Sequence, residues 1–127
     1  MTARVLAWVL EQLQHNSPVV LATVASTKGS VPGKTGARLA MNRTHDWVGT
    51  VGGAGLEHKI LNRCKELLQQ SKAHSEIHTF GLNKGAKGYE VQPLDSLCGG
   101  QVTISLELML PMPHVLLMGG GHCSEAI

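Results

Sequence analysis

Aromatic side chains are scarce in this chain: Trp8, Trp47, Phe80 and Tyr89 are the four among 127 residues. Platforms that stack single-stranded nucleic acid are built from such rings, so no role of that kind is expected. Charge is also thin, with 16% charged residues and a net charge of +2, too mild a balance to predict a nucleic-acid partner or a membrane surface. No apolar run approaches membrane-spanning length. The opening segment is interrupted by Arg4 and Glu11, which does not fit a signal peptide. Cysteine is limited to Cys64, Cys98 and Cys123, an odd number at unrelated spacings that cannot form a disulfide framework, and reduced thiols in the cytoplasm are expected. His122 and Cys123 are adjacent but lack a Cys-x-x-Cys or His-x-x-x-His partner, so no metal site is expected. No acid and base stand at a recognisable catalytic spacing, and no catalytic residue is assigned.

What the chain does have is apolar content, 43% of residues, enough for one compact core at this length, and glycine in three clusters. Gly29-Ser30-Val31-Pro32 with Gly36 forms the first, Gly49 to Gly55 the second and Cys98-Gly99-Gly100 the third. Each adjoins a strand-like run. Tight turns are what glycine most often makes, but repeated clusters in a small α/β chain also suit a cradle for a polar, phosphate-bearing molecule. Lys28, Lys34, Arg38 and Arg43 gather around the first cluster, as a solvated face or as anion contacts.

The periodicities predict alternating elements. Residues 3–15 read as a helix with Val5, Leu6, Val9, Leu10 and Leu13 apolar, ended by Asn16-Ser17-Pro18. Strands are predicted at 19–25, 38–42 and 47–51, the last two as a hairpin across Thr44-His45-Asp46. A helix over 55–71 carries Leu56, Ile60, Leu61, Cys64, Leu67 and Leu68 on one face, which makes Cys64 a core residue. A glycine-rich junction leading into a helix is a generic anion site, though Glu57 in the first turn partly offsets its field. A strand near 75–80, a loop over 83–95 and an alternating strand at 101–108 complete the first 112 residues. The expected fold is therefore α/β with α+β character, a mixed sheet of about five strands with two main helices. After Pro111-Met112-Pro113, His114 to Met118 and Gly119-Gly120-Gly121 look like the first strand and glycine turn of a Rossmann-type domain, giving a division into 1–112 and 113–127. A dinucleotide site needs a whole βαβ unit, so NAD(P) binding is not expected of these residues. An apolar strand at 114–118 without its sheet invites pairing with a second copy, hence a homodimer, the alternative being a disordered terminus.

In chain order, Leu21-Ala22-Thr23-Val24, Gly29-Ser30-Val31-Pro32, Gly36-Ala37-Arg38, Gly49-Thr50-Val51-Gly52-Gly53, Leu56-Glu57, Cys98-Gly99-Gly100 and the glycine turn with His122 resemble the xanthine dehydrogenase accessory factor family, the XdhC/CoxI type. The chain departs from that pattern at Gly33-Lys34, where an arginine often follows the proline, and at Ala54, where the glycine triplet ends. The resemblance implies an accessory and maturation factor rather than an enzyme. It would bind the molybdenum cofactor (molybdopterin) transiently, assist its sulfuration and deliver it to a molybdenum hydroxylase apo-enzyme, with a cysteine desulfurase as a further partner. The cofactor-binding set would be Gly29, Ser30, Lys34, Arg38, Gly52, Gly53, Glu57, Cys98, Gly99 and Gly100. Residues alone leave Cys98 either a turn residue or a partly exposed thiol near backbone amides, and the resemblance favours the second. A soft thiolate is the ligand type suited to a molybdenum or dithiolene-sulfur centre. The competing readings are a nucleotide-dependent oxidoreductase lacking its cofactor domain, and a regulatory module that has lost ligand binding.

Overall fold

A computed structural model describes residues 2–29, 31, 34–81, 91–93 and 100–112. The element order is α1 (Thr2–Gln14), β1 (Val19–Lys28), β2 (Arg38–Asn42), β3 (Trp47–Gly49), α2 (Ala54–Leu67), β4 (His74–Gly81), β5 (Val91–Pro93) and β6 (Gln101–Met109). The strands form one mixed sheet in the order β3-β2-β1-β6-β4-β5, antiparallel throughout except for the β4–β5 pair. The architecture is the expected α+β one. The difference from expectation is β5, which falls inside the stretch predicted as a loop.

β1 sits near the centre because its first four residues, Val19 to Ala22, are all apolar. Val19 and Leu21 pack on one face with Val5, Val9 and Ala40, while Val20, Ala22 and Val24 join the larger core on the other face. A strand covered on both sides reads as a continuous hydrophobic run. β6 alternates instead. Its Val102, Ile104, Leu106 and Leu108 are buried beneath α2, and Thr103, Ser105 and Glu107 face the other way.

The two helices lie on opposite faces. α2 presents Leu56, Ile60, Cys64 and Leu67 to the larger core. α1 covers the β1–β2–β3 half of the other face with Val5 and Val9, assisted by Trp8 and Leu13. The expected stripe is therefore displaced, since Leu6 and Leu10 are 43% and 57% exposed and Trp8 takes their place. At its end α1 closes with a Schellman motif: Asn16 is left-handed at φ 61°, and Ser17 N–H donates to Gln12 O at 2.9 Å. Pro18 then blocks continuation, so the helix stops where the sequence predicts. The β2–β3 hairpin is closed by the buried Asn42, whose Oδ1 accepts from Thr44 N–H at 3.1 Å and Asp46 N–H at 2.9 Å while its Nδ2 donates to Gln12 Oε1 at 2.9 Å. No helix among the described residues is long and apolar enough to cross a membrane.

Candidate functional site

The sequence-predicted residues gather toward one end of the sheet, where β1 and β3 finish and β2, α2 and β6 begin. Lys34 to Ala37 form a turn closed by Ala37 N–H donating to Lys34 O at 2.9 Å, and Gly36 occupies it at φ 92°. Positive φ at the third residue is what a type II turn requires. Two bonds stitch this turn to β1: Gly36 N–H to Val24 O at 2.8 Å and Val24 N–H to Ala37 O at 2.9 Å. Arg38 follows, its Nη1 donating to Gly36 O at 3.2 Å, and Thr50 N–H reaches Arg38 O at 2.9 Å. The first and second glycine clusters are thus joined directly through Arg38 and Thr50.

A cavity of about 380 Å³ lies here, lined by Thr2, Val5, Lys34, Gly36, Arg38 and Thr50. A second of about 380 Å³ adjoins it, sharing Val5 and Thr50 and adding Arg4. Small-molecule sites commonly enclose about 300–1,000 Å³, so each has room for one end of a ligand. The chemistry on offer is cationic and hydroxylic, and it suits holding an anion rather than breaking a bond.

At the start of α2, Gly52 and Gly53 take φ 133° and 82°, and Gly53 is the N-cap. Glu57 turns back on this loop: its carboxylate accepts from the Thr50 hydroxyl and from Val51 N–H at 3.2 Å, while Gly52 N–H donates to Thr50 Oγ1 at 3.1 Å. The Thr50 hydroxyl and Val51 N–H thus serve an internal carboxylate. Glu57 clamps the loop to the helix it opens.

The third cluster enters at the same end but farther out. Gln101 pairs with Lys28 and with Gly81, which puts the buried Gly100 beside the end of β1, near the exposed Gly29. From the Thr23–Ser105 rung, level with Arg38, to the Lys28–Gln101 rung is four residues along β6, about 13 Å. Ser30, Cys98 and Gly99 lie outside the described residues, as does the whole of 113–127.

Sequence reasoning missed two features. The first is Arg4, brought to the cavity by α1. The second is a carboxylate cluster between α2 and β4, where Glu76 receives Arg63 through Nε at 2.7 Å and Nη2 at 2.8 Å, His74 Nε2 at 2.8 Å, and His78 Nε2. The spacing His74-x-Glu76-x-His78 was its signal, since alternate strand residues share a face. The Arg63 guanidinium holds the Glu76 carboxyl well below the usual range, with His78 and His74 adding and burial opposing. Cys64 lies within the core beneath, and burial pushes its thiol up to about 12, so it remains an unreactive protonated thiol at neutral pH. Among the described residues no three His, Cys, Asp or Glu side chains are placed to hold a metal ion.

The fold is a two-helix, mixed-sheet domain that brings glycine-rich turns and the cations Lys34 and Arg38 to one end of the sheet. Residues 12–81, more than half of the chain, match the model of the XdhC and CoxI family, and the chain belongs to that family. Over 114 residues, 90% of this chain, it is 27% identical to the uncharacterized protein YqeB of Escherichia coli (strain K12), of whose length it spans 20%. Its fold is shared with a xanthine dehydrogenase from Bacillus halodurans, with a TM-score of 0.55 and 24% identity, covering 80% of this chain and 29% of that one. The chain therefore spans less than a third of either relative.

Proposed function

We propose that this chain is the cofactor-handling part of an accessory factor for a molybdenum hydroxylase of the xanthine dehydrogenase type. It binds the molybdenum cofactor, assists its sulfuration with sulfur supplied by a cysteine desulfurase, and passes it to the apo-enzyme in the cytoplasm. The observation carrying this reading is the XdhC and CoxI family match across the stretch that holds Gly29, Lys34, Arg38, Gly52 and Gly53. The cationic cavity beside Arg38 fits the test that an anionic, phosphate-bearing cofactor sets: it presents arginine and lysine with room for one end of a ligand. In this reading Lys34 and Arg38 hold the anionic end, Gly29 and Gly100 let the backbone approach, and Cys98 supplies a thiolate to the sulfur-bearing end. Bound cofactor contributes the molybdenum centre; the protein orients and shelters it.

Purification from cells that make the cofactor tests the reading. Molybdenum and pterin fluorescence should co-purify in fixed ratio with the protein, and Cys98→Ala should lower both without changing the thermal midpoint. Absence of both from the wild-type protein sinks the proposal, and equal retention by Cys98→Ala removes that cysteine from it.

A further inference from the structure

We infer that the phosphate end of the ligand is gripped by Arg4 of α1 together with Arg38 and Lys34, in the groove beside the 34–38 turn, and not by the amides that open α2. This deepens the proposed function and rests on it for the identity of the ligand.

Four observations place the phosphate there. The two adjoining cavities share Val5 and Thr50, so Arg4 on one side and Lys34 with Arg38 on the other border a single groove. Thr2, Thr35 and Thr50 complete its lining, the Thr50 hydroxyl donating to Glu57 behind it, and among the described residues no carboxylate residue lines either cavity. Among the described residues none of the three cations forms an ion pair, and Arg38 spends one N–H on Gly36 O, leaving most of its fork for a ligand. Arg63, by contrast, is held by both Glu76 and Glu66. A bound dianion would supply the counter-charge that the three lack among the described residues. A planar guanidinium also grips two phosphate oxygens at once, which Lys34 as a point charge does not.

The competing location already carries a carboxylate. Glu57 carries its own negative charge into the loop before α2 and takes the Thr50 hydroxyl and Val51 N–H, so a phosphate there would meet a carboxylate. The groove also depends on the lack of a side chain at residue 49. A Cβ there would stand 2.2 Å from Arg38 O and 2.9 Å from Val5 Cγ2, wedging β3 away from the wall that carries Arg38.

The test titrates the protein with inorganic pyrophosphate by calorimetry at low ionic strength, and measures cofactor retention in the same variants. Arg4→Gln and Arg38→Gln should each weaken pyrophosphate binding by roughly tenfold, the worth of about one charge-assisted contact. Both should lower cofactor retention, while Arg4→Lys keeps part of each and Lys65→Gln, on the last turn of α2, changes neither. Thermal midpoints equal to the wild type exclude unfolding as the cause. Wild-type affinity for pyrophosphate in both glutamine variants overturns the assignment. Loss of pyrophosphate binding with unchanged cofactor retention overturns it too, since the groove then serves another anion while the accessory-factor reading stands. If the wild type binds pyrophosphate through Arg4 yet never retains cofactor, the functional reading has failed and the cofactor assignment falls with it.

Discussion

A methyl group at residue 49 would decide how closely the end of β3 can lie against α1. The added Cβ would overlap a backbone carbonyl that cannot swing aside, and Gly49 also sits at φ 86°, where side chains are disfavoured. Gly53 has a similar φ of 82° but nothing within 4 Å of its missing Cβ. The two positions therefore separate conformational need from lack of space. Gly53→Ala should cost about 1–2 kcal/mol from the backbone alone, whereas Gly49→Ala should cost about 2–4 kcal/mol because the wedge is added. Urea denaturation of the two variants checks this, and equal losses would show that β3 shifts away from the Arg38 carbonyl at little cost.

Between elements, the main polar tie is the one from α2 to β4. Glu76 is 14% exposed and Arg63 36%, so the pair is partly screened, and its bidentate bond is worth about 1–2 kcal/mol at neutral pH. The Glu76 carboxyl titrates below its ordinary value of 4.5 in the folded protein, chiefly because of the Arg63 hydrogen bonds. A depressed carboxyl pKa stabilises the fold above the unfolded value and ceases to do so as pH falls through the folded one. Stability should thus be level above about pH 5 and decline steadily below it. Glu76→Gln should lower stability at pH 7 by about 1–2 kcal/mol and shrink the difference from wild type as pH falls toward 3. Unfolding midpoints measured from pH 7 to 3 decide the matter, and parallel curves would mean that other carboxyls carry the acid sensitivity.

For the molecule as a whole, the question is what the last fifteen residues do. The face of β6 and β4 opposite α2 carries Ser105, Thr103 hydrogen-bonded to Thr79 at 3.1 Å, and Ile77 at 70% exposure, outside the half that α1 covers. The apolar stretch His114 to Met118 follows β6 closely in sequence. We propose, from its apolar sequence alone, that this stretch pairs with the sheet of a second copy. Light scattering should give a dimer for the full chain and a monomer of lower thermal midpoint when residues 113–127 are deleted. An unchanged mass and midpoint would remove the tail from any assembly contact.

Much of the architecture was legible in the residues themselves. The period of 3.6 placed α1 and α2, Asn16-Ser17-Pro18 marked the stop of α1, and the unbroken run Val19 to Val24 marked a strand covered on both faces. Cys64 on the apolar stripe was correctly placed in the core. These features are local, governed by backbone sterics and by which neighbours share a face. β5 was not legible, because Val91–Pro93 pairs in parallel with Thr79–Gly81, and such pairing leaves no hairpin signal in a glycine- and charge-rich stretch. The choice of β6 as the inner partner of both β1 and β4 likewise depends on residues far apart in the chain. The site divides along the same line. Sequence placed glycine, Lys34 and Arg38 together, because they are near neighbours, but only the packing of α1 brought Arg4 to the adjoining cavity, and only the fold of the 50–57 loop put the Glu57 carboxylate onto the Thr50 hydroxyl and Val51 N–H. Charges act through space over a few ångströms, whatever their distance along the chain, so tertiary structure alone decided which of them meet.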